Sequence, residues 1–161
     1  MIEIVRNVLP YKELIQAQKK FEEPHWGFGF ISTEYNRPIW NYNKYECVGV
    51  INELMENERL KQFTLLDYHV NGQTTLLDGS MHRDSAGGIT HAFVYFPYEW
   101  NYQYGGRLHV RTPTGMEVIT PEINTGVLFD ASYEHYAEGP SVRATSKLRV
   151  SVGLKLLLPT T

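Results

Sequence analysis

The chain has 161 residues, 42% of them hydrophobic, which is one domain's worth with enough apolar material for a core. A net charge of −3 without a basic stripe argues against nucleic acid as a partner, and no apolar run approaches the roughly 20 residues of a membrane span. Cys47 is the only cysteine, which excludes an intramolecular disulfide and a cysteine-built zinc site. Together with an N-terminus, MIEIVRNVLPYKE, that has no basic-then-apolar leader pattern, it suits a cytoplasmic protein.

Taken in chain order, Pro10 to Phe21 predicts a short helix, with Pro10 near its start and Leu14, Ala17 and Phe21 on one face. Glu22 to Pro38 reads as irregular, punctuated by Pro24, Gly27 and Gly29 and carrying the aromatics Trp26, Phe28 and Phe30. Glu46 to Leu60 predicts a second amphipathic helix with a stripe of Cys47, Val50 and Leu54. From Phe63 the texture changes to strands. Phe63 to Val70 is followed by Asn71-Gly72, a hairpin-turn signal, and Gln73 to Met81 leads into His82-Arg83-Asp84. Further strands are expected over Thr90 to Pro97, Gly106 to Arg111, Met116 to Ile119, Gly126 to Phe129 and Leu148 to Leu158. The sum is a single, mainly β (α+β) domain spanning 1–161. Residues 63–158 form a sandwich or barrel, and residues 1–62 form a helical and irregular support whose helices pack on one side.

The chemistry concentrates at His82-x-Asp84. Two apart on extended chain, these side chains point the same way, and a distant histidine, His135, could complete a facial triad that leaves three positions of an octahedral Fe(II) open. The local alternatives are a turn with exposed polar side chains and, for His135, a surface histidine after Tyr133 and Glu134. Of the six histidines, His69 and His109 read as structural members of strands, His91 as facing either way, and His25 as lying near a site entrance. Arg149 and Ser151 share one face of the last strand, with Leu148, Val150 and Val152 on the other. If Arg149 points inward it must be paired, because an unpaired buried cation is very costly. A carboxylate ligand would do so in two-pronged fashion, with Ser151 adding a hydroxyl. In the reverse register Arg149 lies in solvent, and the pattern alone leaves both registers open.

The ordered set His82-x-Asp84, Tyr95-Phe96-Pro97, Trp100, Gly105-Gly106-x-Leu108, His135 and Arg149-x-Ser151 resembles the Fe(II)- and 2-oxoglutarate-dependent oxygenases. It is most similar to their prolyl 4-hydroxylase-like branch. The stretch YFPYEWNYQYGGRLHV carries much of the likeness, which extends over about residues 63 to 158 and not over the N-terminal third. The resemblance implies a double-stranded β-helix (jelly roll) with its site at one open end. It implies iron held by His82, Asp84 and His135, and 2-oxoglutarate held at its far carboxylate by Arg149, with Ser151 beside it and Tyr95 bonding the same carboxylate.

Arg149 lies fourteen residues beyond His135 and Arg143 eight, where relatives place the basic residue between these spacings. Arg149 is preferred, because a cosubstrate anchor belongs on a rigid strand rather than on the loop suggested by Gly139-Pro140 and the polar run 141–146. Pro97 stands where the family tends to have asparagine.

The implied activity is hydroxylation of a C–H bond with O2 as second cosubstrate, succinate and CO2 as coproducts, and ascorbate as an auxiliary reductant. The branch suggests a prolyl residue of a peptide or protein, with a free amino acid or other small molecule as the alternative substrate. A cupin-like jelly-roll module that binds a metal or ligand without oxygenase activity is the alternative from a different class. Trp26, Phe28 and Trp40 suit either a lid over the site or a hydrophobic cap on the barrel.

Overall fold

The computed structural model describes residues 1–31, 38–86, 88–144 and 147–159, so residues 32–37 of the irregular stretch and 145–146 of the loop before Arg149 lie outside it. Most of the chain is antiparallel β-structure. The strands are β1 (Glu3–Arg6), β2 (Trp26–Phe30), β3 (Ile39–Tyr42), β4 (Thr64–Gln73), β5 (Thr90–Phe96), β6 (Leu108–Thr112), β7 (Gly115–Ile119), β8 (Thr125–Asp130), β9 (Glu134–Ala137) and β10 (Arg149–Leu157). Among the described residues two α-helices accompany them, α1 (Tyr11–Glu22) and α2 (Val48–Met55). No helix among the described residues is long and apolar enough to cross a membrane.

A seven-stranded sheet in the order β1-β8-β5-β10-β4-β3-β2 faces a three-stranded sheet in the order β7-β6-β9. The two-residue period of the strands divides the core. Phe93 and Tyr95 of β5 and Val152 and Leu154 of β10 pack with Phe21 of α1 and Ile51 and Leu54 of α2. Ala92 and Phe96 turn the other way and join Leu108, Val110, Val127 and Phe129 between the two sheets. The helices thus cover one face of the large sheet and the small sheet covers the other, the jelly-roll arrangement expected.

The first helix forms as its pattern predicts, burying Leu14, Ala17 and Phe21. Its C-terminal half is tied to the sheet through bonds from Tyr42 Oη to Lys20 O (2.7 Å) and from Gln18 Nε2 to Pro97 O (2.7 Å). The second helix is shorter than predicted. A 3-10 turn over Lys44–Cys47, capped by the Asn43 side chain, leads into it, and its buried stripe is Cys47, Ile51 and Leu54 rather than Val50. Asn57 ends the run by donating to Val8 O at 2.8 Å and accepting from Arg59 N at 2.9 Å.

Asn71-Gly72 is not a hairpin. Strand β4 runs through it, because Asn71 and Gly72 have strand partners on both sides, Ser151 and Val150 of β10 and Asn41 and Trp40 of β3. No strand continues from Gln73 towards Met81 among the described residues. The stretch read as irregular contains β2, in which Trp26 and Phe28 pair with Tyr42 and Trp40. With β1 at the opposite edge, the first 62 residues supply three strands of the large sheet as well as the two helices.

Candidate active site

The space between the sheets opens at one end into a cavity of about 290 Å3, lined by His82, Asp84, His135, Arg149 and Ser151 among others. Its first half is built by two backbone segments that meet. His135 on β9 and His82, on the loop before β5, exchange backbone hydrogen bonds (2.8 and 3.0 Å), which sets their rings side by side with centroids 4.4 Å apart. Two residues on, Asp84 N donates to Ala131 O at 3.0 Å, and the Asp84 carboxylate turns back between the rings. Its oxygens lie 3.5 Å from His82 Nε2 and 3.6 Å from His135 Nε2.

The histidine tautomers follow from their partners. His82 Nδ1 lies 2.8 Å from Ser80 O and His135 Nδ1 3.0 Å from Tyr133 O. A carbonyl only accepts, so each Nδ1 carries a proton; Nε2 presents a lone pair on the side of Asp84 when the ring is neutral, and an N–H that bonds or attracts the carboxylate when the ring is protonated. The environment tunes the set. A hydrogen bond to Asp84 raises the pKa of His82, while burial lowers that of His135, which is 5% exposed. Burial opposes ionisation of Asp84, but the His82 bond and the charges of His135, His82 and His69 outweigh it and hold the carboxyl below its usual range.

One ligand atom from each of the three residues lies within 4.8 Å of the others. A six-coordinate cation with ligands at about 2.1 Å needs neighbouring donors about 3 Å apart, a small closure from the observed spacing. Two neutral imidazoles and one carboxylate, each imidazole oriented by a carbonyl behind it, form the donor set that suits a divalent iron with open positions. The residues present therefore fit such an ion.

The second half of the cavity is built around Arg149, only 1% exposed and the first residue of β10. Its Nε donates to Gly106 O at 2.5 Å, and its Nη1 donates to Gln73 Oε1 (2.9 Å) and Ser151 Oγ (3.2 Å). The guanidinium also lies 5.3 Å from the centroid of the Phe96 ring. Gly106 has φ +69°, and a Cβ there would come within 3.0 Å of Arg149 Cδ and 3.2 Å of Trp100, so the Gly105-Gly106 motif makes room for the arginine. Burial pushes the guanidinium pKa down to about 10. Nη2 is buried with no hydrogen-bond partner among the described residues. A desolvated cation with a spare two-proton donor is an incomplete arrangement, which an anion in the cavity would complete.

The structure brings together five of the six residues singled out in the sequence, and one correction is needed. Tyr95 faces away from the cavity. It lies opposite Val152 of β10, whose side chain belongs to the helix-side core, whereas Arg149 and Ser151 face the cavity. The Tyr95 hydroxyl donates to Asn124 Oδ1 at 3.1 Å, and Asn124 in turn bonds both backbone groups of Leu9. Tyr95 therefore ties the sheet to the N-terminal segment, and Phe96 takes the place beside Arg149. Arg143 lies exposed on a 3-10 turn (Val142–Ala144), away from the cavity lining.

The sequence reading missed the polar face of β4. Asp67, His69 and Asn71 line the cavity, with Gln73 against Arg149 beyond them. His69, read as structural, lies over Gly153, the residue facing it on β10. The ring is exposed on the cavity side of the strand, and partial desolvation by the surrounding protein lowers its pKa. The signal was present as four polar residues alternating through Asp67-Tyr68-His69-Val70-Asn71-Gly72-Gln73. The N-terminal aromatics divide: Trp26 packs against the core, Phe28 and Trp40 form a surface pair with centroids 5.2 Å apart, and Phe30 reaches the cavity.

No family model and no curated protein matches this sequence, but solved structures match the fold over nearly its whole length. A 2OG-Fe(II) oxygenase family oxidoreductase from Burkholderia pseudomallei superposes with a TM-score of 0.76 at 11% identity, covering 99% of this chain and 86% of its own. HygX from Streptomyces hygroscopicus, solved with nickel, 2-oxoglutarate and hygromycin B bound, gives 0.72 at 8% identity, with 97% and 82% covered. A prolyl hydroxylase from Trichoplax adhaerens, in complex with a peptide fragment of a hypoxia inducible factor, gives 0.70 at 15% identity, with 98% and 83% covered. The chain therefore has the jelly-roll fold of the 2-oxoglutarate- and Fe(II)-dependent oxygenases, the prolyl hydroxylases among them.

Proposed function

We propose that this protein is an Fe(II)- and 2-oxoglutarate-dependent dioxygenase that hydroxylates a substrate C–H bond and releases succinate and CO2. The observation that carries the reading is Arg149, a buried guanidinium whose Nη2 has no partner among the described residues and which lines the same cavity as His82, Asp84 and His135. A metal-binding module of the cupin kind has no use for that cation. A cosubstrate with a carboxylate at its far end does.

His82, Asp84 and His135 would hold the iron, and the neutral charge of the two imidazoles leaves one carboxylate against a divalent ion. The bound metal and cosubstrate would supply the oxidising chemistry, with O2 as the second cosubstrate and ascorbate as an auxiliary reductant. The protein contributes position and environment. Arg149 Nη2 would form a charge-assisted pair with the far carboxylate of 2-oxoglutarate, and Ser151 Oγ, already 3.2 Å from Nη1, would add a hydroxyl to the same carboxylate. Ala92 and Leu108 line the cavity with apolar surface and Phe96 lies against the guanidinium, which strengthens that pair by excluding water.

The finer reading is a prolyl residue in a peptide or protein as substrate. The ordered motifs resemble that branch, and a relative of the same fold is a prolyl hydroxylase with a peptide bound. A small-molecule substrate is favoured by one observation, the modest size of the cavity, about 290 Å3, which must hold the cosubstrate as well.

The deciding experiment adds Fe(II) and 2-oxoglutarate to the protein without oxygen and records the weak visible charge-transfer band. The band should appear in the wild type and vanish in His82→Ala. With oxygen admitted, succinate should form. Absence of both the band and succinate refutes the oxygenase reading. A peptide screen read by mass spectrometry for the gain of one oxygen then identifies the substrate.

A further inference from the structure

The cavity contains a second cation that the proposed chemistry leaves unassigned. Lys155 lies on β10 six residues beyond Arg149 and on the same face, roughly 20 Å along the strand at about 3.3 Å per residue. Ser151 and Gly153 come between them, and all four line the cavity. Lys155 Nζ donates to the backbone carbonyl of Asp84 at 2.9 Å, so the ammonium stands at the triad's end of the site. A five-carbon diacid anchored on Arg149 and extended to the triad is used up when it arrives. Lys155 lies past that point, where the second reactant must sit.

The charge of Lys155 is not neutralised by a side chain among the described residues. Asp67 is its cross-strand neighbour and the acid best placed to pair with it. Asp67 is instead held by Lys44, with 2.8 Å between Nζ and Oδ1, and that bond keeps the Asp67 carboxyl below its usual range. The Asp84 carboxylate is turned to His82 and His135. An ammonium has three donors, and the Asp84 carbonyl uses one. In a half-enclosed cavity an ionic hydrogen bond is worth more than on an open surface.

We infer that Lys155 selects substrates bearing a carboxylate close to the carbon to be oxidised. The inference rests on the oxygenase reading above and names the substrate class for the same site. The carboxylate can belong to an amino-acid-sized molecule or to an acidic residue beside the target in a peptide, and the test separates the two sources.

The protein is loaded with Ni(II) in place of iron and saturated with 2-oxoglutarate. It is then titrated calorimetrically with two matched pairs, N-acetyl-L-proline against its primary amide, and acetyl-Gly-Pro-Glu-amide against acetyl-Gly-Pro-Gln-amide. The acid of at least one pair should bind roughly tenfold more tightly than its neutral partner, as one charge-assisted hydrogen bond predicts. The pair that discriminates identifies the source. Lys155→Gln keeps a donor for the Asp84 carbonyl but removes the charge, and should bring acid and amide to within about twofold, while Lys155→Arg should retain most of the preference. The inference is overturned if neither acid binds, if acids and amides bind alike, or if the preference survives in Lys155→Gln. It is also overturned if Lys155→Gln no longer takes up Ni(II), which would make Lys155 a brace for the Asp84 loop. Failure of the wild-type Ni(II) protein to bind 2-oxoglutarate, seen in the loading step, would instead refute the oxygenase reading.

Discussion

Replacing Arg149 by methionine tests the cosubstrate anchor with little change in side-chain volume. In the structure Nε and Nη1 are engaged by Gly106, Gln73 and Ser151, so the two protons of Nη2 are what remains for a ligand. One to two charge-assisted hydrogen bonds at about 1.5–3 kcal/mol each give a loss of about 3 kcal/mol, or roughly a hundredfold rise in the Kd for 2-oxoglutarate. Ni(II) affinity should change less than about threefold, since anchor and metal ligands are separate groups. Burial holds the guanidinium pKa near 10, so at every pH below that the folded chain keeps a desolvated cation at a cost to stability. The cost is relieved only as pH rises through 10 towards the ordinary value, or when a carboxylate arrives. Saturating 2-oxoglutarate should therefore raise the melting temperature of the wild type at pH 7 and leave Arg149→Met unmoved. Calorimetric titration of the Ni(II)-loaded proteins measures the affinities. A Kd within threefold of wild type, or a comparable loss in Arg143→Ala, refutes the assignment of Arg149.

Three further outcomes follow from particular contacts. Tyr95→Phe removes the bond to Asn124 and should lower stability by about 1 kcal/mol in denaturant titrations with no change in 2-oxoglutarate affinity; a weakened affinity would restore Tyr95 to the site. Gly153→Ala places a methyl group against the His69 ring and should cost about 1–3 kcal/mol while crowding the cavity, measured as lower stability together with weaker cosubstrate binding. Burial pushes the Cys47 thiol pKa up to about 11, so the native protein should resist alkylation at pH 8 and react fully in denaturant. The unfolded chain loses this proton first, so this group's linkage lowers stability as pH rises from about 9 through 11, and Cys47→Ser should flatten that part of the stability profile.

The pair of His82 and Asp84 was legible because its signal is short-range, whereas His135 joined it only through the ordered motifs. His82 and Asp84 are two apart, and the extended backbone alone puts their side chains on one side. The anchor half was legible only through the ordered motifs. Alternation over Leu148-Arg149-Val150-Ser151-Val152 fits either register, and both faces of β10 turn out to be buried. That double burial also explains the error at Tyr95. In a strand with helices on one face and a second sheet on the other, Val94, Tyr95 and Phe96 are all suited to the interior, and nothing local says which face holds the cavity. The same ambiguity hid β4. Asn71-Gly72 has the chemistry of a turn, but flanking strands on both sides supply partners that a turn would forfeit, and tertiary pairing overrides the local preference.

What a sequence does carry about such a strand is its cost structure. Gln73 and the Arg149 cation are buried, which is tolerable only where something polar meets them, while Asp67, His69 and Asn71 line the cavity with access to solvent. Gln73 meets Arg149, Lys44 meets Asp67, and His69 faces the opening. Arg149 Nη2 is left over, and Lys155 has only a carbonyl. These two residues stand at opposite ends of one strand face with the triad near the second. The fold thus sets out one cation for each of two anionic groups, and the unequal burial of the two assigns them. The fully buried guanidinium suits the small cosubstrate that must be enclosed, and the half-exposed ammonium suits the group that must enter and leave with each turnover.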